Sequence, residues 1–125
     1  MEFNDRLPIY RQVADYFREK MATGEYQAGS ELPSRRQVAS DFRVNPNTVQ
    51  RAYSLLESEG LIETHKTMAS RVTEKEDRLQ ALREELLGRA IASFVDKIAP
   101  FDMERSTVMD LLNQALDEKE AEDHD

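Results

Sequence analysis

A chain of 125 residues allows one ordinary domain, or a small domain with an appendage. It has no cysteine, which excludes disulfides, thiolate metal sites and a thiol nucleophile. Its apolar runs fall short of membrane-spanning length and its acidic, proline-bearing start is not that of a signal peptide, so a cytoplasmic protein with no membrane partner is expected. The formal net charge of −8 argues at first against a nucleic-acid partner. It is unevenly spread, however: residues 1–73 hold ten basic and ten acidic side chains, and residues 74–125 hold seven and fifteen. Within 35–51 four arginines face one aspartate, a local positive patch of the kind phosphate binding needs.

Residues 1–6 are polar and expected to be loose, with Phe3 a candidate to pack down. Leu7-Pro8 predicts a helix with proline at its first position. Ile9, Val13, Ala14, Phe17 and Met21 then recur at helical spacing, so this helix buries one face and ends at Gly24. Residues 25–31 read as a loop that returns the chain to the next segment.

Leu32 to Gly60 carries the strongest local signals. Ser34 followed by Gln37 is a capping box, in which each side chain satisfies a free backbone N–H at a helix start. Val38, Ala39 and Phe42 give that helix an inward face. Asn45-Pro46 then ends one helix and starts another, because a residue before proline avoids the helical region while Asn caps and Pro suits the first turn. The second helix places Val49, Ala52, Tyr53 and Leu56 on one side and stops at Gly60. Two short helices joined by a tight polar turn form a helix-turn-helix pattern. On the outward side Asn45, Asn47, Thr48, Gln50 and Arg51 crowd the first turns, and amide, hydroxyl and guanidinium groups suit base edges and phosphates. The plainer reading, a solvated helix start, accounts for Asn45 as a cap.

Leu61 to Thr64 and Ser70 to Thr73 are short β-prone segments around residues 65–69, which fits a two-stranded wing. Lys66 and Arg71 are its candidate phosphate contacts, with solvated charges on a hairpin as the alternative. His65 is a lone surface histidine, and a metal role is not expected because metal sites need several ligands.

The run Leu32-Pro33-Ser34-Arg35-Arg36-Gln37-Val38-Ala39, the run Val44-Asn45-Pro46-Asn47-Thr48-Val49 and the ending Leu56 to Ile62 resemble the DNA-binding domain of GntR-family bacterial transcription regulators. The Asn-Pro-Asn-Thr-Val form looks most like the YtrA-type branch, whose C-terminal regions are short. The resemblance covers residues 4 to 73. It implies that the first helix braces the helix-turn-helix, that Ser34 and Arg36 meet phosphates or bases beside Arg35, and that Asn45, Asn47, Thr48, Gln50 and Arg51 stand at recognition-helix positions. Two departures matter. The wing has no glycine near its tip, and Pro46 stands where better-known branches have arginine, so operator rules from those branches do not transfer.

Residues 74–99 predict a long charged helix with an apolar stripe of Leu79, Leu82, Leu86, Ala90, Ile91, Phe94, Val95 and Ile98, stopped by Pro100. A second helix capped by Asp102 or Ser106 carries Val108, Leu111, Leu112, Ala115 and Leu116 on one side, and residues 117–125 are expected to fray. Two helices cannot enclose so much apolar surface between themselves, so these residues form an expected homodimer interface; folding back on the chain's own winged helix is the competing arrangement.

The expected fold is therefore mainly α with a small β wing: a winged helix-turn-helix over residues 1–73 and a helical hairpin for dimerisation over 74–125. The expected function is a sequence-specific transcription regulator, a repressor that holds a palindromic double-stranded DNA operator as a homodimer and is released by an unidentified small ligand. The C-terminal region is expected to be too small for a roomy ligand pocket of about 300 Å³ or more. No cofactor and no metal are expected. A helical protein-interaction scaffold is the alternative, in which Arg35, Arg36 and Arg51 would be dispensable. Catalysis is not expected, since there is no Cys, the two His are far apart, and the four Gly form no phosphate loop.

Overall fold

The computed structural model describes residues 1–65 and 69–124. In order these form α1 (Ile9–Ala22), α2 (Arg35–Phe42), α3 (Pro46–Ser58), β1 (Ile62–Thr64), β2 (Ser70–Val72), α4 (Glu76–Ile98), a 3₁₀ turn (Ala99–Phe101) and α5 (Arg105–Asp123). The chain divides into two compact units, Met1–Gly88 and the residues from Arg89 onward. The expected mainly helical architecture with a small wing is present, but the first unit runs past the expected boundary at Thr73.

The core of the first unit follows from the periodic apolar residues. Val13, Ala14, Phe17 and Met21 of α1 meet Val38 and Ala39 of α2 and Val49, Ala52, Tyr53 and Leu56 of α3, all buried. Aromatic edges organise this contact. Phe17 lies edge-on to Tyr53 with ring centroids 5.5 Å apart, and Tyr16 lies edge-on to Phe42 at 5.1 Å. The N-terminal residues are less loose than their polarity suggested. The buried Gln12 side chain donates to the carbonyls of Leu7 (2.8 Å) and Asn4 (2.9 Å) and accepts from the Asn4 N–H (3.0 Å), while Phe3 packs against the core. Pro8 precedes α1 as its cap instead of opening it, and its carbonyl accepts from the N–H groups of Arg11 and Gln12.

β1 and β2 pair antiparallel, Ile62 opposite Val72 and Thr64 opposite Ser70. A third segment, absent from the sequence reading, extends this wing. Residues 29–32 run along β2, with Leu32 N–H donating to Ser70 O (2.8 Å), Val72 N–H to Ser30 O (2.9 Å) and Gly29 N–H to Val72 O (2.9 Å). Gly29 is required there: its φ is +77° and a Cβ would lie 3.0 Å from the Glu74 carboxylate.

α4 corrects the expected dimer stripe. Leu79 and Leu82 are each 1% exposed, buried in the core of the first unit, and Leu86 packs against its edge. Leu79 and Leu82 are therefore withdrawn from any surface a partner could use. Arginines fasten the same turns: Arg78 Nε donates to Glu59 O (2.8 Å) and Arg83 Nε to Ala22 O (2.9 Å), meeting orphan carbonyls at the ends of α3 and α1. The fold-back arrangement thus holds for the first turns of α4. Beyond Leu82 no described residue is buried.

In the second unit α4 ends at Ile98, and Pro100 sits in the 3₁₀ turn. Asp102 adopts a left-handed conformation (φ 50°) and Glu104, not Asp102 or Ser106, occupies the cap position of α5, without a side-chain cap bond. Residues 117–123 are helical, where fraying was expected. Two Lys–acid and Gln–acid contacts at i,i+4, Lys119–Asp123 (3.5 Å) and Gln114–Glu118 (3.4 Å), support that last stretch.

If Leu79 and Leu82 serve the first unit's core, Leu82→Ala costs that unit about 2–5 kcal/mol, read as a lowered midpoint in urea unfolding. A loss below about 1 kcal/mol would place Leu82 outside the core.

Candidate nucleic-acid interface

The helix-turn-helix is built by caps at each of its junctions. Ser34 Oγ accepts from Gln37 N–H (3.1 Å), which is half of the expected capping box. The other half is absent: Gln37 Nε2 donates to Asp41 (2.8 Å) one turn along. α2 ends with Arg43 in the left-handed region (φ 56°), and Val44 N–H reaches back to Ala39 O (3.0 Å). The same turn ends α3, where Gly60 takes φ 74° and Leu61 N–H donates to Leu56 O (3.0 Å). Arg43 thus does at the inter-helix turn what glycine does after α3, and places a cation there. It was counted in the basic patch but not singled out as a site residue.

α3 starts as the sequence predicts. Asn45 Oδ1 accepts from Asn47 N–H (2.8 Å), and Pro46 is the first helical residue. Its buried side is fixed by Tyr53, whose hydroxyl donates to Pro33 O (2.6 Å). Burial pushes the Tyr53 phenol well above its ordinary pKa, so it remains a donor throughout the physiological range. This bond ties the middle of α3 to the residue just before the Ser34 cap.

The outward residues divide into groups. Asn45, Asn47, Thr48 and Arg51 line one open depression of about 430 Å³, together with Ile9 and Tyr10 of α1. Arg36 is exposed on α2. Gln50 is exposed, with Nε2 3.2 Å from Ser54 Oγ. Ser34 is exposed but spends its Oγ as a cap. Arg35 is drawn off the solvent face: its guanidinium lies 5.1 Å from the Tyr53 ring centroid and 3.6 Å from Glu57. Arg71, on the wing, stands opposite Glu63 and donates to Gly29 O (3.3 Å). Lys66 lies outside the described residues. His65 is exposed and 3.9 Å from Glu63.

Tyr10 and Arg11 were not singled out by the sequence reading, because nothing in the helix-turn-helix pattern reaches back to α1. Arg51 stacks on the Tyr10 ring with its guanidinium carbon 3.9 Å from the centroid, and Arg11 Nε donates to the Tyr10 hydroxyl (3.3 Å). Among the described residues no cluster of three or more His, Asp or Glu is placed to hold a metal ion, and no helix is long and apolar enough to cross a membrane.

A winged helix-turn-helix that presents amides, a hydroxyl and guanidinium groups from the first turns of its second motif helix is a duplex-DNA reader. Known proteins place it more narrowly. The family of bacterial regulatory proteins named gntR matches residues 9–72. HTH-type transcriptional regulator YhcF of Bacillus subtilis (strain 168) is 30% identical over 109 residues, 87% of this chain and 90% of that protein. The HTH-type transcriptional repressor YtrA of the same organism is 35% identical over 85 residues, 63% of this chain and 65% of that protein. The solved GntR family transcriptional regulator from Listeria monocytogenes superposes with a TM-score of 0.80 at 29% identity, covering 90% of this chain and 98% of that one. The chain belongs to the GntR family. It is a DNA-binding transcriptional regulator, similar to YtrA, and not an enzyme.

The two neighbouring arginines of α2 should separate in experiment. Arg36→Ala is expected to lower the salt slope of DNA binding by about one and leave the melting temperature in place. Arg35→Ala is expected to cost about 1 kcal/mol of stability through the lost stack on Tyr53, with the smaller effect on the salt slope. Fluorescence-anisotropy titrations at several salt concentrations, paired with thermal melts, read both.

Proposed function

We propose that this regulator is a cytoplasmic repressor that grips a two-fold palindromic operator as a homodimer, with the second unit forming the seam. The observation that carries the dimer is the exposure of the second unit's apolar residues. Ile91, Phe94, Val95, Leu111 and Leu116 are 53%, 39%, 51%, 60% and 52% exposed, and Phe101 is 73% exposed. Covering a large apolar side chain is worth about 1.5–3 kcal/mol, so a face of this size favours association. Ala90, Ile98, Val108 and Leu112 line the same grooves, of about 670 and 460 Å³. A second copy supplies a surface of matching chemistry and equal extent, and its two-fold axis would pair two α3 helices on two half-sites. Leu86, Ala90, Ile91, Phe94, Val95, Ile98, Val108, Leu111, Leu112 and Leu116 remain the interface residues of this reading; Leu79 and Leu82 do not.

Repression is the direction supported by the similarity to a protein named a repressor. Release by a small ligand is supported by the same grooves, which are larger than the sequence suggested and lined by apolar side chains with Arg105 and two methionines among them. Contact of Ser34, Arg36, Asn45, Asn47, Thr48, Gln50, Arg51 and Arg71 with the operator belongs to this reading as well. Arg35 takes a supporting part in it.

Ile91→Asp with Phe94→Asp is expected to halve the solution mass in light-scattering chromatography, leave the first unit folded by circular dichroism, and weaken operator binding by about 10²-fold or more through lost bivalency. A wild-type chain that elutes at the mass of one copy would remove the dimer from this account, and a variant that stays paired would remove the second unit as its seam.

A further inference from the structure

α1 enters the DNA-facing surface through two adjacent residues outside the helix-turn-helix. Tyr10 is half-buried against the core, which fixes its ring, and Arg11 is exposed beside it. The ring face carries the Arg51 guanidinium at 3.9 Å, and the hydroxyl accepts from Arg11 Nε at 3.3 Å. One phenol therefore holds two cations from two helices. Among the described residues neither Arg11 nor Arg51 has a carboxylate within ion-pair distance, whereas Arg18 and Arg35 are tied to Glu59 and Glu57. The Tyr10 phenol is lowered from its ordinary pKa, first by the hydrogen bond from Arg11 and further by the charges of Arg51 and Arg11, which registers a positive local field. Two guanidinium groups held at one ring repel each other, and an anion arriving between them relieves that repulsion. The same corner opens onto the depression lined by Asn45, Asn47 and Thr48.

We propose that Tyr10 is a positioning residue for DNA binding: its ring and hydroxyl hold Arg51 and Arg11 in place for backbone phosphates at the start of the recognition helix. The proposal rests on the DNA-binding reading above and deepens it. A free arginine side chain loses much rotamer freedom when it meets a phosphate, and one already stacked on a fixed ring loses less. In this arrangement the recognition helix and α1 act on the phosphates as one unit. Sequence discrimination stays with the amides of α3, so loss of Tyr10 weakens binding to any duplex by a similar factor.

The test is a double-mutant cycle on the full chain, using anisotropy titrations against a labelled mixed-sequence duplex at low and moderate salt. Tyr10→Leu is expected to weaken binding about 3- to 30-fold, the range a partly desolvated cation–π contact supplies. In an Arg51→Ala background the same substitution should cost at most about 3-fold, the share of Arg11 alone. Losses that simply multiply across the cycle, or a Tyr10→Leu chain that binds like wild type, overturn the proposal. Should Tyr10→Leu melt the first unit, Tyr10→Phe paired with Arg11→Ala gives the equivalent cycle, because Phe keeps the packing and removes only the hydroxyl. Coinciding losses in that pair support positioning and multiplying losses refute it. A wild-type chain that leaves the duplex free even at low salt overturns the DNA-binding reading itself, and this one with it. Wild-type binding with multiplying losses overturns only the role of Tyr10.

Discussion

Tyr53 sits in the middle of α3 with no exposed surface, its ring edge-on to Phe17 of α1 and its hydroxyl bonded to the carbonyl of Pro33. One side chain thus fixes the recognition helix against α1 and against the entrance to α2. A phenol buried this deeply needs a partner for its O–H, since an unmet donor in an apolar core costs about 1–3 kcal/mol. Pro33 provides it, and proline suits that place because its own nitrogen makes no demand on the core. The outer face of Tyr53 is covered by the Arg35 guanidinium. The direction in which α3 presents Asn47, Gln50 and Arg51 follows from this anchoring, because one edge of the helix is fixed at its centre and at its N-terminal cap.

An acidic chain binds an acidic polymer here because charges are sorted twice, once along the sequence and once in space. Along the sequence the excess acid lies after residue 73. In space, arginines that meet carboxylates are used to hold helices together: Arg18 lies against Glu59 with contacts of 2.7 Å, and Arg35 against Glu57. Arg51, which meets the Tyr10 ring instead, keeps its charge available to solvent.

α4 has two occupations along one helix. Its first turns complete the core of the winged helix through Leu79 and Leu82 and close the ends of α1 and α3 through Arg83 and Arg78. Its later turns carry exposed apolar residues into the second unit.

The sequence by itself determined the Ser34 and Asn45 caps, the helix-turn-helix, the wing strands and the basic patch. All of these depend on neighbours within about four residues, on the period of apolar side chains, or on ordered motifs whose spacing points to a family. Asn45 and Pro46 start α3 wherever the helix is placed. The tertiary structure alone decided which polar side chains stay free for a partner. Arg35 turned inward to Tyr53 and Glu57, because helix packing brings those partners close. It also decided how a single apolar stripe on α4 is divided. Leu79 and Leu82 look like Ile91 and Phe94 in any periodicity argument, and only the position of the core around the first two distinguishes them. The pairing of Tyr10 with Arg51 is of the same kind, a contact between residues 41 positions apart that no local pattern encodes.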